Sequence, residues 1–148
     1  MNDAIWKPHV TVAAVVERDG RFLCVDETAD GRRVYNQPAG HLDPGESLVA
    51  ACAREALEET AWTVDPYALV GVYRLELPGL TYLRFCFAAR ALHCQAGRAL
   101  DVGIVAAPWL TRAQLAADPA RLRTPLVLRC VDDYLAGARY PLDVVAHA

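Results

Sequence analysis

The chain reads as short β-branched, apolar runs broken by turn residues, with one long stretch that changes to a helical period. Residues 9–17 are apolar and β-branched, residues 21–27 form a second short apolar run, and Asp19-Gly20 between them is a two-residue hairpin signal. Residues 34–39 predict a short strand ahead of the turn-rich Asp43-Pro44-Gly45. Ser47 stands as a helix N-cap, and residues 48–60 hold no Gly or Pro and much alanine, which predicts a helix. Residues 68–76 and 81–92 predict two strands joined at Pro78-Gly79, and residues 104–110 predict a further short one. Thr111 opens a short helix to residue 117, Thr124 opens a second to residue 136, and residues 140–145 read as extended. Strands and helices mixed in this order predict an α/β fold whose sheet is covered on both faces.

A length of 148 residues with 54% hydrophobic positions predicts one domain, residues 1–148, with a core that needs no staples. No window approaches the roughly 18 uninterrupted apolar residues of a membrane span. The N-terminus, Met1-Asn2-Asp3-Ala4, lacks the basic and apolar regions of a signal peptide. Intrinsic membrane and secreted classes are therefore poor readings. Five cysteines, Cys24, Cys52, Cys86, Cys94 and Cys130, form no close pair of metal-ligand spacing. They read as reduced thiols buried as small hydrophobes, which points to the cytoplasm.

The net charge of −3 and pI near 5.8 argue against a nucleic-acid or anionic-membrane partner. That charge is concentrated. Residues 40–61 hold Asp43, Glu46, Glu55, Glu58 and Glu59 against Arg54 alone, a local charge of −4 that leaves the rest of the chain at +1. On a helix Glu55, Glu58 and Glu59 share an arc of roughly 100°. Val49, Ala53, Ala56, Leu57 and Thr60 gather on the opposite side, a small-residue face suited to lie on a sheet. Like charges at these spacings repel by some tenths of a kcal/mol per pair. A divalent cation would offset that, because carboxylate oxygens are hard ligands for Mg²⁺ or Mn²⁺. The plain alternative is a solvated acidic face.

The surrounding residues weigh against the plain alternative. Gly40-His41-Leu42-Asp43-Pro44-Gly45-Glu46, seven residues, and then Arg54-Glu55-Ala56-Leu57-Glu58-Glu59-Thr60-Ala61-Trp62 resemble the Nudix box over residues 40–62. Every charged position and spacing agrees. One position departs: Ala61 stands where the box has Gly, while Ala56 matches the apolar slot only weakly. The box glycine closes the helix at positive φ, where alanine costs about 1 kcal/mol. Residues 7–13, 36–42, 83–85, 123–127 and 137–142 are similar to a bacterial phosphatase branch of the same family.

The resemblance implies an α-β-α sandwich with a mixed β-sheet and hydrolysis of a phosphoanhydride in a nucleoside diphosphate linked to another group. It implies Mg²⁺, with Mn²⁺ as an alternative, held by Glu55, Glu58, Glu59 and the backbone carbonyl of Ala39. Arg54 and Glu46 would orient the loop and the helix, and either Glu58 or Glu55 would act as general base. Many members add an acid from a later loop. Here the corresponding position is Gly103; Asp101 is the nearest acid and reads as an ordinary loop aspartate.

Substrate groups are read as candidates only. Arg32, Arg33 and Arg84 suit phosphate oxygens, although an arginine on a strand is more often solvated. Tyr35, Tyr73, Tyr82 and Trp62 could stack on a ring, with core or sheet packing as the commoner role. Asn36 and Gln37 precede the box where a strand would approach the site. His41 is either a turn residue or a phosphate contact, and His9, His93 and His147 read as structural.

By the same resemblance the activity is that of a phosphatase acting on nucleoside tri- and diphosphates and thiamine-type pyrophosphates with release of orthophosphate. The enzymatic alternative is a nucleoside triphosphate pyrophosphohydrolase releasing pyrophosphate. The alternative of another class is a non-catalytic nucleotide-sensing module. Such modules often lose box carboxylates, whereas Glu46, Glu55, Glu58 and Glu59 are all present. The expected partner is a small molecule, for a monomer or homodimer.

Overall fold

The computed structural model describes residues 4–148; Met1, Asn2 and Asp3, which carry most of the expectation about a signal peptide, lie outside them. The chain forms β1 (His9–Arg18), β2 (Arg21–Leu23), β3 (Val25–Ala29), β4 (Arg32–Asn36), β5 (Ala39–His41), α1 (Leu48–Thr60), β6 (Trp62–Leu77), β7 (Leu80–Cys94), β8 (Ile104–Ala106), β9 (Trp109–Thr111), α2 (Arg112–Ala116) and α3 (Leu126–Leu135). Single 3-10 turns lie at Pro119–Arg121 and Leu142–Val144.

β1 is the centre of the larger sheet, ordered β6-β7-β1-β2-β9. It runs parallel to β7, with Val12 opposite Phe85, and antiparallel to both β2 and β5 on its other edge. Because strand side chains alternate, β1 supplies two cores. Ala13 and Val15 pack with Leu115, Val127, Cys130 and Val131 from α2 and α3. Val12, Ala14 and Val16 pack with Ala51, Cys52 and Ala56 from α1. Helices thus cover both faces of a mixed sheet, the expected sandwich. A second sheet, β4-β3-β8, closes one end. Among the described residues no helix is long and apolar enough to cross a membrane.

Several expected elements divide where proline removes a donor. The run 34–39 resolves into β4 and β5 around Pro38, whose carbonyl accepts Ala14 N–H at 3.0 Å. The strand expected at 104–110 becomes β8 and β9, which belong to different sheets, with Pro108 between them. Residues 21–27, which hold no proline, divide at Cys24 into β2 and β3, in different sheets, with Cys24 N–H donating to the Pro108 carbonyl at 2.8 Å. Conversely, β6 starts directly after α1 and passes through Pro66, its irregularities taken up by three register shifts. The second late helix begins at Leu126 rather than Thr124, and the tail carries a 3-10 turn.

α1 spans the expected residues. Ser47 Oγ accepts Ala50 N–H at 3.0 Å, and Ala61 takes the left-handed conformation at φ 64° while donating to the Leu57 carbonyl at 3.0 Å. The buried face of α1 is turned from the expected one. Ala51, Cys52, Ala56, Glu59 and Thr60 are buried, whereas Val49, Ala53 and Leu57 are only partly covered. The narrow side chains of Ala51 and Cys52 admit the closer approach, and Glu59 is carried inward with them. All five thiols are free, four of them buried; Cys94, at the end of β7, is exposed, contrary to the expectation that all are buried.

Candidate functional site

The loop after β5 and the first turns of α1 are joined by one arginine. Arg54 Nε and one terminal nitrogen donate to Glu46 Oε2 and Oε1 at 2.9 and 2.8 Å, a bidentate pair. That nitrogen also reaches the His41 carbonyl at 3.0 Å, and the other donates to Glu55 Oε1 at 2.9 Å and Glu58 Oε2 at 3.2 Å. The Arg54 guanidinium holds the Glu46 carboxyl below the usual carboxylate range. The loop is closed by Asp43 N–H donating to Glu46 Oε1 at 2.8 Å.

Gly40 explains the first position of the box. A Cβ built there would lie 2.1 Å from the Glu55 carboxylate carbon, so only glycine lets Glu55 lie against β5. Burial pushes the Glu55 carboxyl up. Glu59 is 9% exposed and accepts the Ala39 N–H at 2.8 Å through Oε1. Burial raises its pKa to about 8.

Carboxylate oxygens of Glu55, Glu58 and Asp101 lie within 4.8 Å of one another. Asp101, expected to be an ordinary loop aspartate, is thus brought to the acids of α1. Its backbone N–H donates to the Glu58 carbonyl at 3.0 Å, which pins the loop after β7 against the end of α1. No spacing in the sequence announces that contact. The donor set is all oxygen, with neither thiolate nor imidazole, and fits a hard cation such as Mg²⁺ or Mn²⁺. Glu59 stands apart from this trio, bound to Ala39.

Beside the cluster, sharing the Ala39-Gly40 wall, lies a cavity of about 220 Å³. Of the substrate candidates, Asn36, His41, Tyr82 and Arg84 line it, together with Thr11 and Arg123, which sequence reading did not single out. Gln37 is buried behind Arg84, 3% exposed. Arg32 points away and donates to the Ala120 carbonyl at 3.3 Å. Tyr35 accepts from Arg121 through its hydroxyl at 2.7 Å, and Arg33 pairs with Asp26. The Tyr73 hydroxyl donates to Asp133 at 2.8 Å, and Trp62 packs edge-on against Trp109. His9 has a partner after all: its Nδ1 lies 3.3 Å from His41 Nε2.

The NUDIX domain family matches residues 7–129. The chain is 39% identical over 142 residues to the phosphatase NudJ of Escherichia coli strain K12, a stretch that covers 95% of this chain and 92% of that protein. A solved NUDIX hydrolase from Nitrosomonas europaea superposes with a TM-score of 0.94 at 48% identity, over 96% of this chain and 98% of that one. The MutT protein from Methanosarcina mazei Go1, at 23% identity and a TM-score of 0.68 over 90% and 95%, shares the fold. The chain that carries this loop, helix and sheet belongs to the NUDIX domain family and is a Nudix hydrolase.

Proposed function

We propose that this Nudix hydrolase is a Mg²⁺-dependent phosphatase that cleaves phosphoanhydride bonds of nucleoside tri- and diphosphates and of thiamine-type pyrophosphates, releasing orthophosphate. The observation that carries the reading is the Glu55, Glu58 and Asp101 trio beside a cavity floored by a buried arginine. The 39% identity to phosphatase NudJ supports the choice of phosphatase. Reduced thiols support a cytoplasmic setting.

Glu55, Glu58 and Asp101 would hold the cation, with Glu59 and the Ala39 carbonyl as the further ligands implied by the family resemblance. When bound, the metal neutralises phosphate charge and makes water acidic enough to attack. The chain's own residues supply the rest. Glu58 is the more exposed of the two candidate bases, 33% against 12% for the Glu55 side chain, and takes the proton as the water oxygen bonds to phosphorus. The anhydride P–O bond breaks, and its oxygen leaves with the rest of the substrate. Arg54 and Glu46 keep loop and helix in register, so that the carboxylates stay convergent between turnovers. Asn36, His41 and Arg84 contact substrate, with Gln37 in a supporting place; Arg32 and Tyr35 lie outside the cavity.

The test is a product-resolved screen with Mg²⁺ over nucleotides, thiamine diphosphate, ADP-ribose and dinucleotides. Orthophosphate from nucleoside di- and triphosphates is the expected product. Pyrophosphate from a triphosphate would replace the reading with that of a pyrophosphohydrolase. A Glu58→Gln/Glu59→Gln variant as fast as the unaltered enzyme would remove the acidic helix from the mechanism.

A further inference from the structure

Arg84 is a buried cation that, among the described residues, meets no carboxylate; the ionisable group beside it is the Cys130 thiol. It sits on β7, opposite Thr11 of β1 and Tyr73 of β6, and is 6% exposed. Burying a guanidinium is expensive unless an anion repays the lost hydration. Its terminal nitrogens donate to Gln37 Oε1 at 3.0 Å and Asn36 Oδ1 at 3.2 Å, both neutral amide oxygens. Among the described residues no carboxylate forms a salt bridge with Arg84, whereas Arg33, Arg54, Arg112, Arg121, Arg123 and Arg129 all have one. The cavity's other charges cancel, since Arg123 meets Glu27 at 2.9 Å. The floor therefore keeps one positive charge.

The amides are oriented as well as neutral. Gln37 Nε2 donates to the Val127 carbonyl at 2.7 Å, which turns its oxygen toward Arg84 and fastens Arg84 to the first turn of α3. Asn36 Oδ1 is likewise occupied by Arg84, so its NH₂ group is what remains for a ligand. Asn36, Arg84 and the hydroxyl-bearing Thr11 and Thr124 line the same space, which thus offers mainly donors.

We propose that the Arg84–Asn36 floor is an anion subsite that holds a second phosphate of the substrate, one other than the phosphate attacked, and does so without metal. The placement of the attacked phosphate rests on the proposed function; the subsite itself does not. It selects for substrates with two adjoining phosphoryl groups, one at the acidic cluster and one at Arg84. Gln37 is a positioning residue for this subsite and touches no substrate.

The experiment titrates inorganic phosphate into the full-length protein in EDTA, followed by calorimetry. The unaltered protein is expected to bind phosphate with no metal present. Asn36→Asp keeps the acceptor to Arg84 but places a carboxylate beside the guanidinium, and is expected to weaken phosphate binding at least tenfold. Arg84→Gln is expected to abolish it, and Glu58→Gln/Glu59→Gln to leave it intact. Asn36→Asp should also raise KM far more than it lowers kcat. Thermal melts of each variant confirm folding; if Arg84→Gln fails to fold, Asn36→Asp decides alone. No phosphate binding in EDTA, or binding that Asn36→Asp leaves unchanged, overturns the subsite. So does binding of an uncharged nucleoside that depends on Arg84 while phosphate does not bind. Because no metal is present, these outcomes stand apart from success or failure of the proposed hydrolysis.

Discussion

Glu59 accepts the backbone N–H of Ala39 at 2.8 Å, tying β5 to the last turn of α1 with a carboxyl group that is 9% exposed. Its pKa of about 8, against an ordinary 4.5, means that the folded chain holds this proton more tightly than the unfolded chain. The stability so gained is complete below the unfolded value and is lost as pH rises through about 8. Metal-free protein should therefore melt at lower temperature at pH 8 than at pH 5.5. Glu59→Gln, which keeps an acceptor for Ala39, should raise the metal-free Tm at pH 8 by the equivalent of a few kcal/mol, on the order of the linkage. It should change little at pH 4.5. Calorimetric melts in EDTA across this range check both, and an equal effect at the two pH values would count against burial as the cause.

Divalent cation should reverse the same slope. Mg²⁺ or Mn²⁺ is expected to raise Tm at pH 8 more than at pH 5.5, because protons compete for the carboxylates. Asp101→Asn keeps the backbone bond to Glu58 and removes one charge from the trio. It should raise the Mn²⁺ concentration for half-maximal stabilisation by roughly tenfold or more, in line with the 10–100-fold losses seen when metal-site partners are removed. Unchanged Mn²⁺ dependence would return Asp101 to the loop.

Arg54 serves four carboxylates and a carbonyl at once, a task for a planar fork rather than a point charge. Arg54→Lys should lower metal-free stability at pH 7 by about 1.5–3 kcal/mol, the range for hydrogen bonds to charged groups. Glu46, held low by Arg54, contributes stability that is present above the ordinary 4.5 and is lost as pH falls. The variant's deficit should accordingly shrink toward pH 3, as read by urea denaturation.

Ala61 pays for a left-handed conformation at φ 64° where glycine would not. Relief of about 1–2 kcal/mol exceeds the ~0.8 kcal/mol lost with one buried methyl. Ala61→Gly should raise Tm by about 1–3 °C for a chain of this size, with activity unaltered. Ala61→Val should lower it, since a β-branched residue tolerates positive φ worse.

The parts of the molecule governed by local chemistry were legible in the residues. Ser47 and the Gly- and Pro-free run after it set α1 to the residue, and Asp19-Gly20 set the first hairpin. Capping at Thr111 is equally local, through its reciprocal bonds with Gln114. What escaped depends on contacts across the chain. Asp65 and Pro66 look like loop residues, yet β7 offers an edge long enough to carry them in a bulged strand. The rotation of α1 follows from the small side chains Ala51, Cys52 and Ala56 joining the core that β1 shares, so the inward turn of Glu59 could not be read from helical spacing alone. Asp101 joins the acids through a single backbone bond, to which its side chain contributes nothing recognisable in advance.

The parallel pairing of β1 with β7 has a consequence for how the chain is made. His9 lies beside Tyr82 and Val16 beside Ala89, so the centre of the sheet joins strands from distant parts of the polypeptide. During synthesis α1 emerges well before Phe87, a member of the core that its small residues join. Until Ala89 has left the ribosome, β1 exposes one hydrogen-bonding edge, and the core under the acidic helix lacks Phe87 and Ala89. Contacts of this separation slow folding, and an unpaired central strand is a template for joining another chain. Nascent chains halted between Thr60 and Tyr82 should thus be the aggregation-prone species of this protein, and completion of β7 the event that ends that exposure.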